Sequence, residues 1–254
     1  MYYYLVSPIK IIRADAHSFT YACPERLSVG ALVVIEVGSA HCVGIIMSAV
    51  VKPEFTVKEI VQILDDALVP LPLIQTALWM SSYYHTHLAT VWQTILPRGL
   101  TKKRRHLPSH ATSPQPSQPP TTALTPDQSA AITAIDDMLP GSALLHGVTG
   151  SGKTRVYIET ARAVRAAGRQ VIVLVPEIAL TGQLITEFQK VFAHDIVVLH
   201  SQLSHAERND SIFRVRRGEA GIIIGARSAL FTPAENIGAI ILDEEQDMSY
   251  KQDE

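Results

Sequence analysis

The chain has 254 residues, of which 47% are hydrophobic, and its 22 basic and 24 acidic side chains give a net charge of −2. This charge argues against a protein that coats nucleic acid through bulk positive charge, and the length is sufficient for one large domain or two ordinary ones with real cores. Cys23 and Cys42 show no pairing pattern and no second pair for a zinc site, which argues against a disulfide framework or a cysteine metal centre.

The start of the chain, MYYYLVSPIKIIRAD, lacks the pattern of a signal peptide, and no run of eighteen apolar residues occurs. We therefore expect a cytoplasmic protein with no membrane partner. Three runs rich in β-branched and aromatic residues, YYYLVS, ALVVIEV and CVGIIMSAVV, predict short strands of a small sheet or barrel. From Leu71, apolar residues recur three and four apart, which predicts helix up to Pro97.

The segment 101–123, TKKRRHLPSHATSPQPSQPPTTA, is rich in proline, serine and threonine and has almost nothing apolar to bury. This composition predicts a solvated linker between one domain at 1–100 and a second at 124–254. The basic run Lys102–Arg105 has two interpretations, a solubilising cluster or a contact with a phosphate backbone.

After the linker, five short apolar runs alternate with stretches of helical spacing: ALLHG, QVIVLVP, DIVVLHS, AGIIIG and GAIILDEE. Buried strands separated by helices predict an α/β fold with a parallel sheet that has helices on both faces. Ligands of such sheets bind outside the carboxyl ends of the strands.

The sequence GVTGSGKT, residues 147–154, matches the pattern of a phosphate-binding loop between a predicted strand and a predicted helix. Its glycines allow successive amides to point at one anion, and the following helix adds its positive end. Lys153 would bind the outer phosphates and Thr154 would ligate Mg²⁺. The predicted nucleotide-binding residues of this loop are Gly147, Thr149, Gly150, Ser151, Gly152, Lys153 and Thr154.

Three carboxylates, Asp243, Glu244 and Glu245, follow the last apolar run. On its own such a group is often an acidic turn, but beside a phosphate loop it predicts a magnesium site. Asp243 would hold Mg²⁺ directly or through water, and Glu244 would polarise the attacking water. Lys153, Asp243 and Glu244 are therefore the predicted catalytic residues.

Several segments resemble, in order and close to its spacing, one family, the bacterial primosomal protein N′ or PriA-type replication-restart DNA helicases of superfamily two. They are LTPDQSAA, LLHGVTGSGKT, VLVPEIALTGQ, VLHSQLSHAER, IIIGARSALFTP and IILDEEQDMSYKQ. The resemblance implies a RecA-like first helicase lobe, with ATP and Mg²⁺ as cofactors, from an ATP-dependent 3′–5′ DNA helicase.

The resemblance also implies roles for single residues of the second domain. Gln128 would read adenine, although a residue at the start of a helix is the plain alternative. Arg227 and Ser228, after Gly225, would approach the backbone of single-stranded DNA, and a surface arginine is the alternative for Arg227. The strand-following segment contains Pro176, Glu177, Ile178 and Thr181, and Lys251 lies where DNA is coupled to ATP turnover.

The first hundred residues resemble the family's amino-terminal domain, which recognises the 3′ end of a nascent strand at a fork. The matching pocket positions are Phe19, Thr20, Gly38 and Lys58. The family commonly has aspartate where Thr20 stands, and a hydroxyl binds a ribose oxygen less strongly than a carboxylate does. Taken singly, Phe19 could equally be a core aromatic residue and Lys58 a solvated lysine.

Three further departures from the family pattern affect the expected activity. Gln246 replaces a histidine, Gly182 replaces a proline, and neither a second helicase lobe nor the cysteine-rich zinc insertion is present. Zinc is therefore expected only in the absent part of the family's chain. We expect an amino-terminal piece of such a helicase, which binds magnesium-ATP weakly and hydrolyses it slowly.

The implied partners are branched or forked DNA with a 3′ end, single-stranded DNA, other primosome proteins and single-strand-binding protein. Two other functions are considered. One is a stand-alone fork DNA-binding protein with a vestigial ATP site, against which an exposed apolar sheet edge would count. The other is a small phosphate-loop kinase or unrelated ATPase, for which the sequence shows no acceptor pocket.

Overall fold

The computed structural model describes residues 1–66, 69–96, 123–138, 140–148, 150–176 and 182–250. The chain divides into two compact units, Met1–His106 with Phe231–Glu235, and Leu107–Leu230 with Asn236–Glu254. The predicted linker, with its basic run, lies outside the described residues except for Ala123.

A five-stranded antiparallel sheet forms the first unit. Its strands are Tyr2–Pro8 (β1), Phe19–Cys23 (β2), Leu32–Val37 (β3), Ala40–Val50 (β4) and Gln62–Asp65 (β5), in the order β2-β1-β4-β3-β5. The three runs predicted as strands become β1, β3 and β4, so that prediction is confirmed. Tyr4 and Val6 of β1, and Val33 and Ile35 of β3, are each two residues apart and point to one face of the sheet. They pack there in one core with Tyr21 and Cys23 of β2.

Two helices, Leu71–Tyr83 (α1) and Leu88–Ile95 (α2), follow this sheet. The sequence predicted helix throughout this region, but the helix breaks after Tyr83, and His85 has a left-handed φ of 50°. The second helix starts anew because the His87 Nδ1 atom accepts a hydrogen bond of 3.1 Å from the Ala89 amide. Trp92 of α2 is fully buried and donates from Nε1 to the Ser7 hydroxyl of β1 at 2.9 Å.

A four-stranded parallel sheet forms the second unit. Its strands are Gln170–Leu174 (β6), Ile196–Leu199 (β7), Ile222–Gly225 (β8) and Ile237–Leu242 (β9), in the order β7-β8-β6-β9. Two helices, Pro126–Asp136 (α3) and Lys153–Ala166 (α4), precede β6 in the chain. Gln183–Phe192 (α5) lies between β6 and β7, and His205–Arg216 (α6) lies between β7 and β8.

The core of this unit explains the continuous apolar runs in the sequence. Val171 and Val173 of β6 pack with residues of α4 and α5 such as Ile158 and Phe188. Ile172, which points to the opposite face of the sheet, is also fully buried. A parallel sheet with helices, preceded by a small β-rich domain, confirms the predicted fold class, whose second part is RecA-like.

One predicted strand is wrong. The run ALLHG, residues 143–147, has no regular secondary structure, and Leu144 is 75% exposed. A short apolar run becomes a strand only when a neighbouring strand satisfies its backbone, and this run forms no ladder with any described strand. In the described residues β9 pairs on one side only, with β6, and its Ile240 and Leu242 are 48% and 43% exposed.

Candidate nucleotide site and DNA-end pocket

The phosphate loop leads directly into α4, as its sequence predicted. Gly152 caps the helix in the left-handed region with a φ of 85°, and Gly150 has a φ of 80°. A side chain is disfavoured at such angles, which is why glycine occupies both positions. No side chain caps the α4 amides at this end, and a helix N-terminus of this kind favours an anion.

Lys153 bends back over its own loop. Its Nζ atom donates to the carbonyl oxygens of Gly147, at 2.7 Å, and Val148, at 3.3 Å. The ammonium group is thus held beside the loop that would surround a phosphate. Thr154 follows as a half-buried residue of α4, Ser151 is exposed, and Thr149 lies outside the described residues.

Gln128 lies next to this loop and also starts α3. Its Nε2 atom donates to the Gly152 carbonyl at 3.5 Å, and a Cβ atom on Gly152 would clash with Nε2. At the same time its side chain and amide form a capping box with Thr125, at 3.0 and 3.2 Å. The helix-start role and the position beside the phosphate loop therefore occur together in one residue.

Asp243 follows β9 and lies beside α4. Its amide donates to the Leu174 carbonyl at 2.9 Å, which continues the pairing of β9 with β6. Its Oδ1 atom accepts a hydrogen bond of 3.2 Å from the Tyr157 hydroxyl, and Tyr157 is four residues after Lys153 on α4. Glu244 is exposed and has a left-handed φ of 48°, which is uncommon for a residue with a side chain.

Two tyrosines contact Asp243, and the sequence predicted neither contact. Tyr157 is buried, and Tyr250 donates from its hydroxyl to the Asp243 backbone carbonyl at 2.9 Å. Burial, and after it the negative charge of Asp243, raises the pKa of both phenols. Tyr157 was detectable in principle, because i+3 and i+4 positions share a helix face with Thr154 and Lys153.

The predicted DNA-track residues are only partly described. Arg227 and Ser228 are exposed after β8, and Arg227 donates to the Tyr250 carbonyl at 3.5 Å. Gly225 closes β8, where a Cβ atom would lie 2.7 Å from the Leu199 carbonyl oxygen. Pro176 is buried. Outside the described residues lie Glu177, Ile178, Thr181 and Lys251.

In the first unit, the structure brings the four predicted pocket residues together. Phe19 and Thr20 start β2, Gly38 turns between β3 and β4 with a φ of 61°, and Lys58 lies between β4 and β5. All four line one cavity of about 490 Å³, here named the DNA-end pocket. Its other lining residues are Arg13, Ala16, Ser18, Tyr21, Glu36, Val37, Phe55, Thr56 and Val57.

The DNA-end pocket contains an ion pair that the sequence did not reveal. Lys58 donates from Nζ to Glu36 Oε1 at 2.7 Å and to the Gly38 carbonyl at 3.0 Å. The hydrogen bond and positive charge of Lys58 lower the pKa of Glu36. Glu36 and His41 face each other in the β3–β4 ladder, but periodicity alone does not place Glu36 beside Lys58.

Asp243 and Thr154 carry oxygen donors, which magnesium prefers, and magnesium also retains water and substrate phosphates in its shell. Within the described ranges, no cluster of three or more His, Cys, Asp or Glu side chains is arranged for a metal ion. A nucleotide-bound Mg²⁺ does not require such a cluster. No helix in the described part of the chain has the length and apolar character needed to span a bilayer.

Both units of the chain match known protein families. Residues 125–254 match the DEAD/DEAH box helicase family, and residues 9–97 match the 3′DNA-binding domain (3′BD). The chain therefore belongs to the DEAD/DEAH box helicases and, within them, to the PriA-type replication-restart family whose amino-terminal part it resembles.

Individual relatives agree with this assignment. Replication restart protein PriA of Treponema pallidum is 37% identical over 247 residues, which cover 92% of this chain and 37% of that protein. The Helicobacter pylori protein of the same name is 32% identical over 99% of this chain and 38% of its own length. The Bacillus subtilis protein is 47% identical over 135 residues, or 52% of this chain and 17% of its own. This chain thus spans less than two fifths of the relatives that it matches.

Proposed function

We propose that this chain acts in replication restart, where it binds forked DNA by a 3′ end in the DNA-end pocket and binds magnesium-ATP at its phosphate loop. The observation that carries the proposal is the convergence of Phe19, Thr20, Gly38 and Lys58, from three separate segments, on one cavity. The match of this unit to a 3′DNA-binding domain supports it.

Each pocket residue has a separate task in this proposal. The Phe19 ring provides an apolar surface for the terminal base or sugar. The Thr20 hydroxyl hydrogen-bonds a sugar oxygen, and Lys58 attracts the neighbouring phosphate. Gly38 keeps the β3–β4 turn narrow at the pocket wall.

At the second site, Lys153 neutralises the outer phosphates, Thr154 and Asp243 hold the cation, and Glu244 orients the attacking water. Gln128 binds the adenine edge, while the remaining loop residues, Gly147, Thr149, Gly150, Ser151 and Gly152, present amides to the phosphates. Bound magnesium-ATP supplies the phosphoryl chemistry that drives strand separation, with 3′–5′ polarity by resemblance.

We expect slow turnover from these 254 residues alone. The sequence contains one lobe with the phosphate-loop and acidic motifs. An arginine supplied from an opposing lobe accelerates related reactions by about 10³–10⁵.

Arg227, Ser228 and Lys251 contact the single-stranded DNA in this proposal. Other primosome proteins and single-strand-binding protein are proposed partners by resemblance alone. Zinc would be bound by the family's cysteine-rich insertion, which these 254 residues do not contain.

A stand-alone fork-binding protein with a vestigial ATP site is a weaker alternative. The described edge strand β9 leaves Ile240 and Leu242 substantially exposed. Neighbouring apolar residues exposed on one strand mark a surface that another element covers. This feature favours a helicase lobe over an isolated binding protein.

The DNA proposal is tested by fluorescence anisotropy with forks ending in a 3′-hydroxyl or a 3′-phosphate, at fixed salt. We expect the wild type to prefer the hydroxyl and K58A to weaken binding of both forks. K52A is the matched control, because Lys52 is exposed and outside the pocket lining. Equal wild-type affinities for the two forks would remove the pocket from the proposal.

The nucleotide proposal is tested by titration with a fluorescent ATP analogue in Mg²⁺. We expect K153A to weaken binding by about tenfold or more, because a charged hydrogen-bond donor to phosphate is lost. K190A, which removes a surface lysine paired with Glu187, is expected to bind like the wild type. Strong stimulation of ATP turnover by fork DNA in this chain alone would contradict the slow-turnover expectation.

A further inference from the structure

Tyr157 contacts the acidic motif through its hydroxyl group. The residue is only 8% exposed, and its phenol donates 3.2 Å to the Oδ1 atom of Asp243. Val156 and Ile158, the neighbours of Tyr157 on α4, are also buried. The ring is therefore fixed by packing, and the hydroxyl has a defined direction.

The backbone of Asp243 is held separately from its carboxylate. The Asp243 amide donates to Leu174, and the Asp243 carbonyl accepts from the Tyr250 hydroxyl. These two contacts fix the chain but leave the side-chain torsions free. Among the residues that the structure describes, Tyr157 is the only one whose side chain hydrogen-bonds the Asp243 carboxylate.

The two tyrosines thus act on different parts of the same residue. Tyr157 binds the group that would face a cation, and Tyr250 binds the peptide carbonyl behind it. A hydrogen bond to one carboxylate oxygen restricts rotation of the whole group and leaves the other oxygen for a cation or its water. Orientation of a metal-binding carboxylate by such a neighbour is a common way to raise metal affinity.

We propose that Tyr157 is a positioning residue for magnesium: its hydroxyl holds Asp243 Oδ1 so that the carboxylate remains turned toward α4, where Thr154 lies. This inference rests on the proposed nucleotide site. It adds to that site a residue that makes no contact with the nucleotide phosphates and acts only through Asp243.

Loss of the Tyr157 hydroxyl should affect only the magnesium-dependent part of nucleotide binding. Removal of the Tyr157 hydroxyl leaves the phosphate loop, Lys153 and Thr154 unchanged, so nucleotide binding without magnesium is retained. The Mg²⁺ contribution weakens because Asp243 must be ordered during binding. The net contribution of one hydrogen bond corresponds to about a 2- to 10-fold effect.

The test measures binding of a fluorescent ATP analogue to the full 254-residue chain during Mg²⁺ titration, and in EDTA. For Y157F we expect about a 2- to 10-fold rise in the Mg²⁺ concentration at which the enhancement of analogue binding is half-maximal. The affinity for the analogue in EDTA should be unchanged. Y250F is the matched control, since it removes the same atom from a tyrosine bound to the same residue. It should shift the Mg²⁺ dependence less than Y157F does, because its hydroxyl holds the backbone of Asp243 and not the carboxylate.

Thermal unfolding of both variants separates positioning from a general loss of structure. A double-mutant cycle with D243N adds a second measurement: when the carboxylate is absent, Y157F should have no further effect on Mg²⁺ dependence. An additive effect of the two substitutions, or an equal Mg²⁺ shift in Y250F, would overturn the inference.

The outcomes distinguish this inference from the proposed function. A wild-type chain whose analogue binding is insensitive to K153A and Mg²⁺ would refute the nucleotide site and Tyr157's role with it. A wild-type chain that shows both effects, with a Y157F variant indistinguishable from it, would refute the role of Tyr157 alone.

Discussion

Lys58 donates a hydrogen bond of 2.7 Å to Glu36, and both residues line the DNA-end pocket. A pocket proposed to receive an anionic strand thus already contains a carboxylate beside its lysine. The carboxylate competes with phosphate for Lys58 and repels a terminal phosphate, whereas it accepts a hydrogen bond from a hydroxyl.

Replacement of Glu36 tests this competition. We expect E36Q to strengthen binding of a 3′-phosphate fork by about 2- to 5-fold, because a nearby negative charge is removed and Lys58 is released. Anisotropy at low and moderate salt measures the effect, which should shrink as salt rises. E25Q, at an exposed glutamate outside the pocket lining, should leave both forks unaffected.

The same pair predicts a pH dependence of stability. The pKa of Glu36 is lowered by Lys58, so the carboxylate binds protons less readily in the folded chain than in the unfolded one. Its stabilising contribution is present above the ordinary glutamate pKa of about 4.3 and is lost as pH falls through the lowered folded value.

Because both residues are substantially exposed, the wild type should melt only slightly above E36Q at pH 7. The difference between the two melting temperatures should shrink as pH falls below the ordinary glutamate pKa and should vanish once Glu36 is protonated in the folded chain. A difference that grows on acidification would show that Glu36 is not ionised and paired in the folded protein.

The two glycines at the ends of α4 provide a matched pair of substitutions. Gly152 and Gly168 have φ values of 85° and 72°, so alanine at either position should destabilise the second unit by about 1–2 kcal/mol. A Cβ atom at Gly168 meets nothing within 4 Å, whereas one at Gly152 clashes with Gln128.

Gln128 can move aside, but the strain at residue 152 lies in the phosphate loop itself. We therefore expect G152A to weaken binding of the ATP analogue and G168A to retain it under conditions where both are folded. Urea unfolding and analogue titration measure the two effects separately. Loss of binding in G168A to the same extent would mean that global stability, rather than the loop conformation, limits nucleotide binding.

His87 is expected to support the DNA-end pocket from a distance. Its Nε2 atom contacts the carbonyls of Arg13 and Ala16, at 3.1 and 3.3 Å, and both residues line the pocket. H87A removes this anchor and the cap of α2, so we expect about 1–2 kcal/mol of destabilisation and weaker binding of 3′-hydroxyl forks.

Urea unfolding and fork anisotropy check this prediction, with H85N as the control. His85 is exposed and has a left-handed φ, which asparagine tolerates. If H87A lowered stability while fork affinity stayed unchanged, the segment 13–16 would have no part in the pocket.

The elements best predicted from sequence were those whose side chains carry a periodic signal. The runs that became β6 and β8 are buried on both faces, and their continuous apolar sequence predicts a strand of this kind. The run at 143–147 is also short and largely apolar but has no paired neighbour among the described strands, and composition does not encode a partner. The break at Tyr84–His87 was also missed, because apolar spacing continues across it.

Candidate site residues were likewise predicted where a local sequence motif marks them and missed where a distant partner defines their role. Lys153 and Asp243 were recognisable because their motifs combine several residue types at fixed spacing. Tyr157 and Glu36 act through partners 86 and 22 residues away in sequence, so only the folded chain brings those pairs together.

Gln128 has a single amide group, and that group already completes the first turn of α3 while it touches the Gly152 carbonyl. An adenine that recruits both polar atoms of this side-chain amide would break the bond from the Thr125 backbone amide to Oε1, at a cost of about 0.5–1.5 kcal/mol, and would leave the bond from the Gln128 backbone amide to the Thr125 hydroxyl in place. Nucleotide occupancy and the first bond of the α3 cap would then be thermodynamically linked, so faster amide hydrogen exchange at Thr125 would report when the base is engaged.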